Sequence, residues 1–124
     1  MRTVYYVEDS VSMQEIVKHC LAQEFKVSTF NNCAEALAFI QTGAIPDIIL
    51  TDLDTPVLNG FAFLTQLRSS DFFKAVPVIV LSGEDSSDSR IKCLEAGADD
   101  YIVKPFNPLE LQARINNVLK RVKR

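Results

Sequence analysis

The chain has 124 residues, 48% of them hydrophobic and 23% charged, with a formal net charge of −3. This is one domain's worth of sequence, able to bury a core without disulfides, and the balance excludes an intrinsically disordered chain. No apolar run is long enough to span a bilayer, no signal-peptide core follows Arg2, and a net negative chain is a poor nonspecific partner for nucleic acid.

A cytoplasmic protein without direct membrane or nucleic-acid contact is therefore expected. The three cysteines fit that compartment. Cys20, Cys33 and Cys93 are odd in number, far apart and form no C-x-x-C pair, so they read as reduced thiols and not as a disulfide frame or a zinc site.

Thr3 to Val7 is apolar, aromatic and β-branched, which predicts a strand ending at two adjacent acids, Glu8 and Asp9. Met13, Ile16, Val17, Cys20 and Leu21 then recur at helical spacing, with Ser12 and Glu15 as a capping box. His19 falls off that stripe and is expected to be exposed. Phe25 to Phe30 alternates apolar and polar, as a half-buried edge strand does. Asn32 and Glu35 cap a second helix, whose inner face is Ala36, Leu37 and Ile40 and which stops near Gly43.

Asp47 to Asp52, preceded by Pro46 and followed by Pro56 and Gly60, has the aliphatic run of a fully buried parallel strand. Asp52 falls at its carboxyl end, where open α/β sheets bind their ligands. Burying a carboxylate costs free energy unless it is paired or bound to metal, so Asp52 is the candidate chemical centre. Phe61, Phe63, Leu64 and Leu67 mark a third helix to about Ser70.

Val76 to Leu81 predicts another buried strand, ending at Ser82, Gly83 and Glu84. A fourth helix, Ser86 to Ala96, carries Ile91, Leu94 and Glu95 at its periodic positions and closes at Gly97. Tyr101 to Val103 is the last strand and ends at Lys104 and Pro105. Asn107, Pro108 and Glu110 then supply a cap, a first-turn proline and a capping-box acid for a helix on Leu111, Ile115, Val118, Leu119 and Val122. Its end holds Arg114, Lys120, Arg121, Lys123 and Arg124 and no acid. Those cations either complement the helix dipole or, over 120–124, begin a linker to an output domain.

Five strands alternating with five helices predict one α/β domain over 1–124, with a parallel sheet and helices on both faces. All strands of such a sheet end on one edge, which gathers Glu8, Asp9, Asp52, Ser82 and Lys104. Three converging carboxylates repel one another, and a hard cation with oxygen ligands, magnesium above all, resolves that repulsion. A lysine and a hydroxyl beside the metal suit a phosphoryl group.

These residues carry a resemblance. Glu8-Asp9, Asp52 with Pro56 and Gly60 in register, Ser82, and the run Gly97 to Phe106 (GADDYIVKPF) resemble the receiver domain of two-component response regulators, from Thr3 to about Val122. The resemblance implies a flavodoxin-like, doubly wound (βα)5 fold with strand order 2-1-3-4-5. It implies that Asp52 is the phosphoacceptor for a phosphohistidine on a sensor histidine kinase or a histidine phosphotransfer protein. Glu8, Asp9, Asp52 and the backbone carbonyl of Asp54 would hold Mg2+, with Mn2+ as a substitute. Ser82 and Lys104 would bind the phosphoryl oxygens, and Lys104–Pro105 would be a cis peptide.

Ser82 and Tyr101 would form the switch, biasing a surface made of the fourth helix, fifth strand and fifth helix toward an output domain, a downstream protein or a second copy. Asp54 and Glu84 would tune the lifetime of the aspartyl phosphate, by orienting or excluding water. The domain would be a signalling module that assists its own phosphorylation and dephosphorylation, not an enzyme. Three departures from the common pattern stand out: Glu8 for a first Asp, Thr55 for Met, and Ser82 for Thr. None removes a required group.

Thr51 to Val57 (TDLDTPV) is also similar to the D-x-D-x-T motif of haloacid-dehalogenase-type phosphatases. Against a phosphatase, Thr55 comes one residue early, Pro56 takes its place, and the acidic pair precedes the nucleophile. A phosphorylation-independent interaction module is the third class, and the intact site argues against it.

Overall fold

The structure, a computed structural model, describes residues 1–122. Its strands are β1 (Arg2–Val7), β2 (Phe25–Phe30), β3 (Ile48–Asp52), β4 (Val78–Ser82) and β5 (Asp100–Val103), alternating with α1 (Val11–Leu21), α2 (Cys33–Ile40), α3 (Gly60–Ser69), α4 (Ser87–Glu95) and α5 (Pro108–Arg121). All pairings are parallel and the order is β2-β1-β3-β4-β5, so this is the flavodoxin-like α/β fold. β3 and β4 are buried at every position because helices cover both faces of the sheet.

The pleat divides the core in two. Val4, Tyr6, Ile48, Leu50, Ile79, Leu81 and Ile102 pack with α1 and α5, through Val17, Leu21, Leu111, Ile115 and Val118. Tyr5, Val7, Ile49, Val78, Val80 and Tyr101 point the other way, into Ala36 and Ile40 of α2, Phe63, Leu64 and Leu67 of α3, and Cys93 of α4. Parallel register pairs Val7 with Thr51, Asp52 with Leu81 and Ser82 with Val103, which levels the strand ends. The direction in which successive strands are added to the sheet reverses between β1 and β3, its topological switch point.

Several local expectations need correction. α1 is capped by Ser10, whose hydroxyl accepts from the Met13 N–H, and Ser12 lies inside the helix. The buried face of α1 is Gln14, Val17 and Leu21, while Ile16 is half-exposed. Gln14 takes the inner position because its amide donates to the Glu8 carbonyl and to Asn31 Oδ1. β4 starts at Val78 and not Val76, since Pro77 has no N–H to give the ladder.

On α4 only Cys93 is buried, with Ile91 and Leu94 largely in solvent. Glu110 turns to Arg114 instead of back to the cap, and Asn107 alone caps α5 by accepting from the Leu109 N–H. Arg114 is also paired to Asp100, so of the basic run Lys120 and Arg121 complete the last turn; Lys123 and Arg124 lie outside the described residues.

Candidate functional site

Residues 6, 8, 50, 52, 102 and 104 share one face of the pleat, so the side chains at the end of β3 and just past β1 and β5 converge. Glu8 is 2% exposed, and three donors hold its carboxylate. Lys104 Nζ donates to Oε1 at 2.8 Å, the Tyr6 hydroxyl donates to the same oxygen at 3.2 Å, and the Ser10 N–H donates to Oε2 at 3.0 Å. Lys104 Nζ also donates to Asp52 Oδ2 at 2.9 Å, and the Asp54 N–H to Asp52 Oδ1 at 3.3 Å. One ammonium thus bridges two buried carboxylates from strands at the switch point.

Asp9 completes the group from the solvent side. Glu8, Asp9 and Asp52 each offer an oxygen within 4.8 Å of the others, an all-oxygen set that suits a hard divalent cation. The charges perturb one another. Burial works to raise the Glu8 carboxyl, but Lys104 and the Ser10 N–H outweigh it and hold it below the usual range. Contact with Glu8, helped by some loss of hydration, raises Asp9. Burial works to lower Lys104, but Glu8 and Asp52 keep the ammonium protonated above its ordinary value. The Lys104–Pro105 peptide is cis.

The loop after β3 is shaped by contacts under it. Thr55 is buried and donates to the Leu58 carbonyl at 2.6 Å, while Val57 adopts φ 72° with the Leu58 N–H on the Pro56 carbonyl. That is a γ-turn of the rare positive-φ kind, unfavourable for a β-branched residue. The thiol of Cys33 lies 3.2 Å from Thr55 Oγ1 and 3.4 Å from Thr51 Oγ1. Both hydroxyls already donate to backbone carbonyls, so the single thiol proton is shared between them. Gly60 then brings α3 against β3: a Cβ there would stand 2.6 Å from the Asp52 carbonyl oxygen.

The other candidate residues lie around this centre. Ser82 is fully buried on the opposite parity and accepts from the Glu84 N–H at 3.0 Å; its hydroxyl bonds neither Asp52 nor Lys104. Tyr101 is buried, donates to the Glu84 carbonyl at 2.9 Å and stands 3.1 Å from Ser89 Oγ, tying β5 to the loop before α4 and to α4 itself. The side chains of Asp54 and Glu84 are exposed and line one cleft of about 290 Å³ with Phe61, Asp88 and Lys92. His19 is exposed on α1. Tyr6, Gln14 and Cys33 were not singled out from sequence as parts of this site. For Tyr6 a signal existed, because it stands two residues before Glu8 and shares its side of the strand.

The sequence profile of the response regulator receiver domain matches residues 4–116. The transcriptional regulatory protein PrrA of Mycobacterium leprae is 42% identical over 97% of this chain; the chain spans 50% of PrrA, and about half the length of the other curated transcriptional regulators it matches. Among solved structures, the signal receiver domain of a signal transduction histidine kinase from Syntrophus aciditrophicus superposes with a TM-score of 0.91 at 30% identity, covering 100% of this chain and 94% of that one. The receiver domain of the sensor histidine kinase PA1611 from Pseudomonas aeruginosa, with magnesium coordinated in its active site cleft, gives 0.86 at 28%, covering 96% and 98%.

Proposed function

The chain belongs to the response regulator receiver domain family, and from that premise we propose that Asp52 accepts a phosphoryl group from a phosphohistidine. The observation that carries this reading is the Lys104 ammonium bridging Glu8 and Asp52 at 2.8 and 2.9 Å with Asp9 beside them. A lysine so placed is already at the atom that would react. The Asp52 oxygen forms the new O–P bond as the donor's P–N bond breaks, and the electron pair stays on the departing imidazole.

Bound Mg2+, for which Mn2+ can substitute, would neutralise charge on the transferring group. Asp9 and Asp52 would hold it, with Glu8 directly or through water and the Asp54 carbonyl as a further ligand. Magnesium in the PA1611 receiver supports that assignment.

The remaining residues are given roles by their contacts. Lys104 follows the charge onto the phosphoryl oxygens. The Ser82 hydroxyl accepts from Glu84 N–H, so its own proton is available to donate to a phosphoryl oxygen. Movement of Ser82 and of the loop before α4 would be felt by Tyr101, whose hydroxyl is fastened to the Glu84 carbonyl in that loop and to Ser89 in the first turn of α4. The surface of α4, β5 and α5 is thereby the readout, for an output domain, a downstream protein or a second copy. Asp54 and Glu84, at the cleft beside Asp52, would set how water reaches the acyl phosphate.

The partner is a sensor histidine kinase or a histidine phosphotransfer protein, in the cytoplasm, with residues 1–124 acting as one receiver and 120–124 as the start of any linker. The test is direct. Incubation with Mg2+ and acetyl phosphate, followed by intact-protein mass spectrometry, should show one labile phosphoryl adduct that Asp52→Asn abolishes. No adduct on the native chain, or an undiminished one in Asp52→Asn, refutes the reading. Sustained phosphate release from a general phosphomonoester would instead indicate a phosphatase.

A further inference from the structure

Among the described residues, Tyr6 carries the one hydroxyl that donates to a carboxylate of the charged centre. Its side chain is 0% exposed, packed on the α1 and α5 side of the sheet, and its hydroxyl donates to Glu8 Oε1 at 3.2 Å. A phenol buried there needs an acceptor, and Glu8 supplies it. Glu8 Oε1 is also the oxygen that Lys104 holds at 2.8 Å. Two donors therefore share one atom, and only the ammonium is free to leave it. An aspartate at position 8 would be one methylene shorter and would draw its carboxylate away from the hydroxyl.

This sharing has a consequence for the reaction. When Lys104 swings from Glu8 toward a phosphoryl group on Asp52, Glu8 must remain ionised and buried with fewer donors. The Ser10 N–H still serves Oε2, and Tyr6 is the donor left on Oε1. Without it, Oε1 would be bare and would hold the ammonium back. We propose that Tyr6 is a positioning residue that keeps Glu8 fixed while Lys104 transfers its charge to the phosphoryl group. The inference rests on the phosphoacceptor reading above. Because the hydroxyl contributes more after Lys104 leaves than before, it should accelerate phosphorylation more than it stabilises the resting fold.

The experiment compares the native chain with Tyr6→Phe, each also in a Glu8→Asp background. Acetyl phosphate labelling at saturating Mg2+ is followed by intact mass. Removing the hydroxyl should lower the maximal rate on the order of tenfold, the scale of one hydrogen bond to a charged group, with the KM for acetyl phosphate changed less than about twofold. In the Glu8→Asp background the same change should have little effect, a coupling that a general packing role would not produce.

A second readout needs no turnover. The native protein should show a slowly exchanging Tyr6 hydroxyl proton by NMR, retained when Mg2+ and beryllofluoride are added as a phosphoryl stand-in. Equal maximal rates for the native chain and Tyr6→Phe, equal losses in both backgrounds, or disappearance of that resonance on adding beryllofluoride would each overturn the role of Tyr6. A native chain that takes no label overturns the phosphoacceptor reading itself.

Discussion

Gly60 is where fold and site meet most tightly, so Gly60→Ala is a sharp perturbation. A Cβ at this position would lie 2.6 Å from the Asp52 carbonyl oxygen, 2.9 Å from Leu53 Cα and 3.3 Å from the Asp52 carbonyl carbon. All three are backbone atoms of β3 and the loop after it, which cannot swing aside as a flexible side chain can. Reaching ordinary contact at 3.4 Å requires a separation of about 0.8 Å between the start of α3 and the end of β3. The Gly60 N–H to Leu53 carbonyl bond, now 2.8 Å, would be stretched past useful length.

Overpacking of this kind costs about 1–3 kcal/mol and the hydrogen bond about 1 more, so roughly 2–4 kcal/mol in all. Against a total stability of about 5–15 kcal/mol, that is a fall in melting temperature on the order of 10 °C. Adduct formation should slow as well, because the shift is applied at Asp52. Gly83→Ala is the control, since nothing lies within 4 Å of a Cβ built there, and it should be near neutral. Thermal unfolding and acetyl phosphate labelling measure both effects. A Gly60→Ala protein that melts within a degree of the native one and labels at the native rate would refute the packing reasoning.

Two further outcomes follow from the charges. Lys104→Met keeps the aliphatic stem but leaves buried Glu8 and Asp52 facing each other without a cation. After discounting for the partial exposure of Lys104, it should cost about 1–3 kcal/mol at pH 7 by urea denaturation and slow adduct formation on the order of a hundredfold. Glu8 is depressed in the fold, so its stabilisation is present above its unfolded pKa of about 4.3 and lost as pH falls through the lower folded value; the gap between Lys104→Met and native should therefore close in acid. Lys104 is raised, so its contribution persists up to its unfolded pKa of about 10.4 and is lost above that. Asp9 is raised, which means its ionisation costs stability at neutral pH and the cost vanishes in acid. Asp9→Asn should raise the metal-free melting temperature by about 1–3 °C at pH 7, not at all well below pH 4, and abolish stabilisation by Mg2+.

The elements legible in the sequence were those with one dominant physical cause. β3 and β4 are continuous apolar runs because both faces are covered, and Asn32, Asn107 and Gly97 mark helix ends through their own side chain or φ. Convergence of Glu8, Asp52 and Lys104 was legible because parallel strands share an edge. What failed was rotation and competition. Nothing in the spacing of α1 says that Gln14 outranks Ile16 for the inner face; the Glu8 carbonyl and Asn31, brought there by other elements, decide it. On α4 the periodicity of Ile91 and Leu94 is real, but the helix offers the sheet only a narrow strip around Cys93. The thiol under Thr51 and Thr55 comes from α2, far away in sequence, and no local pattern announces it.

The resting site is unbalanced by construction. Glu8, Asp9 and Asp52 supply three negative charges and Lys104 one positive, all gathered at a single sheet edge. Pairing with Lys104 reaches the two buried acids and not Asp9, and Asp9 is raised while Glu8 is lowered. That excess negative charge is consistent with a site for a divalent cation, which would lessen the need of Glu8 and Asp52 for Lys104. On the proposed function an arriving phosphoryl group, carrying close to two negative charges, takes up that released ammonium. Glu8 is the residue that must tolerate its departure. On the role proposed for Tyr6, the buried phenol donor on Glu8 suits it to that task.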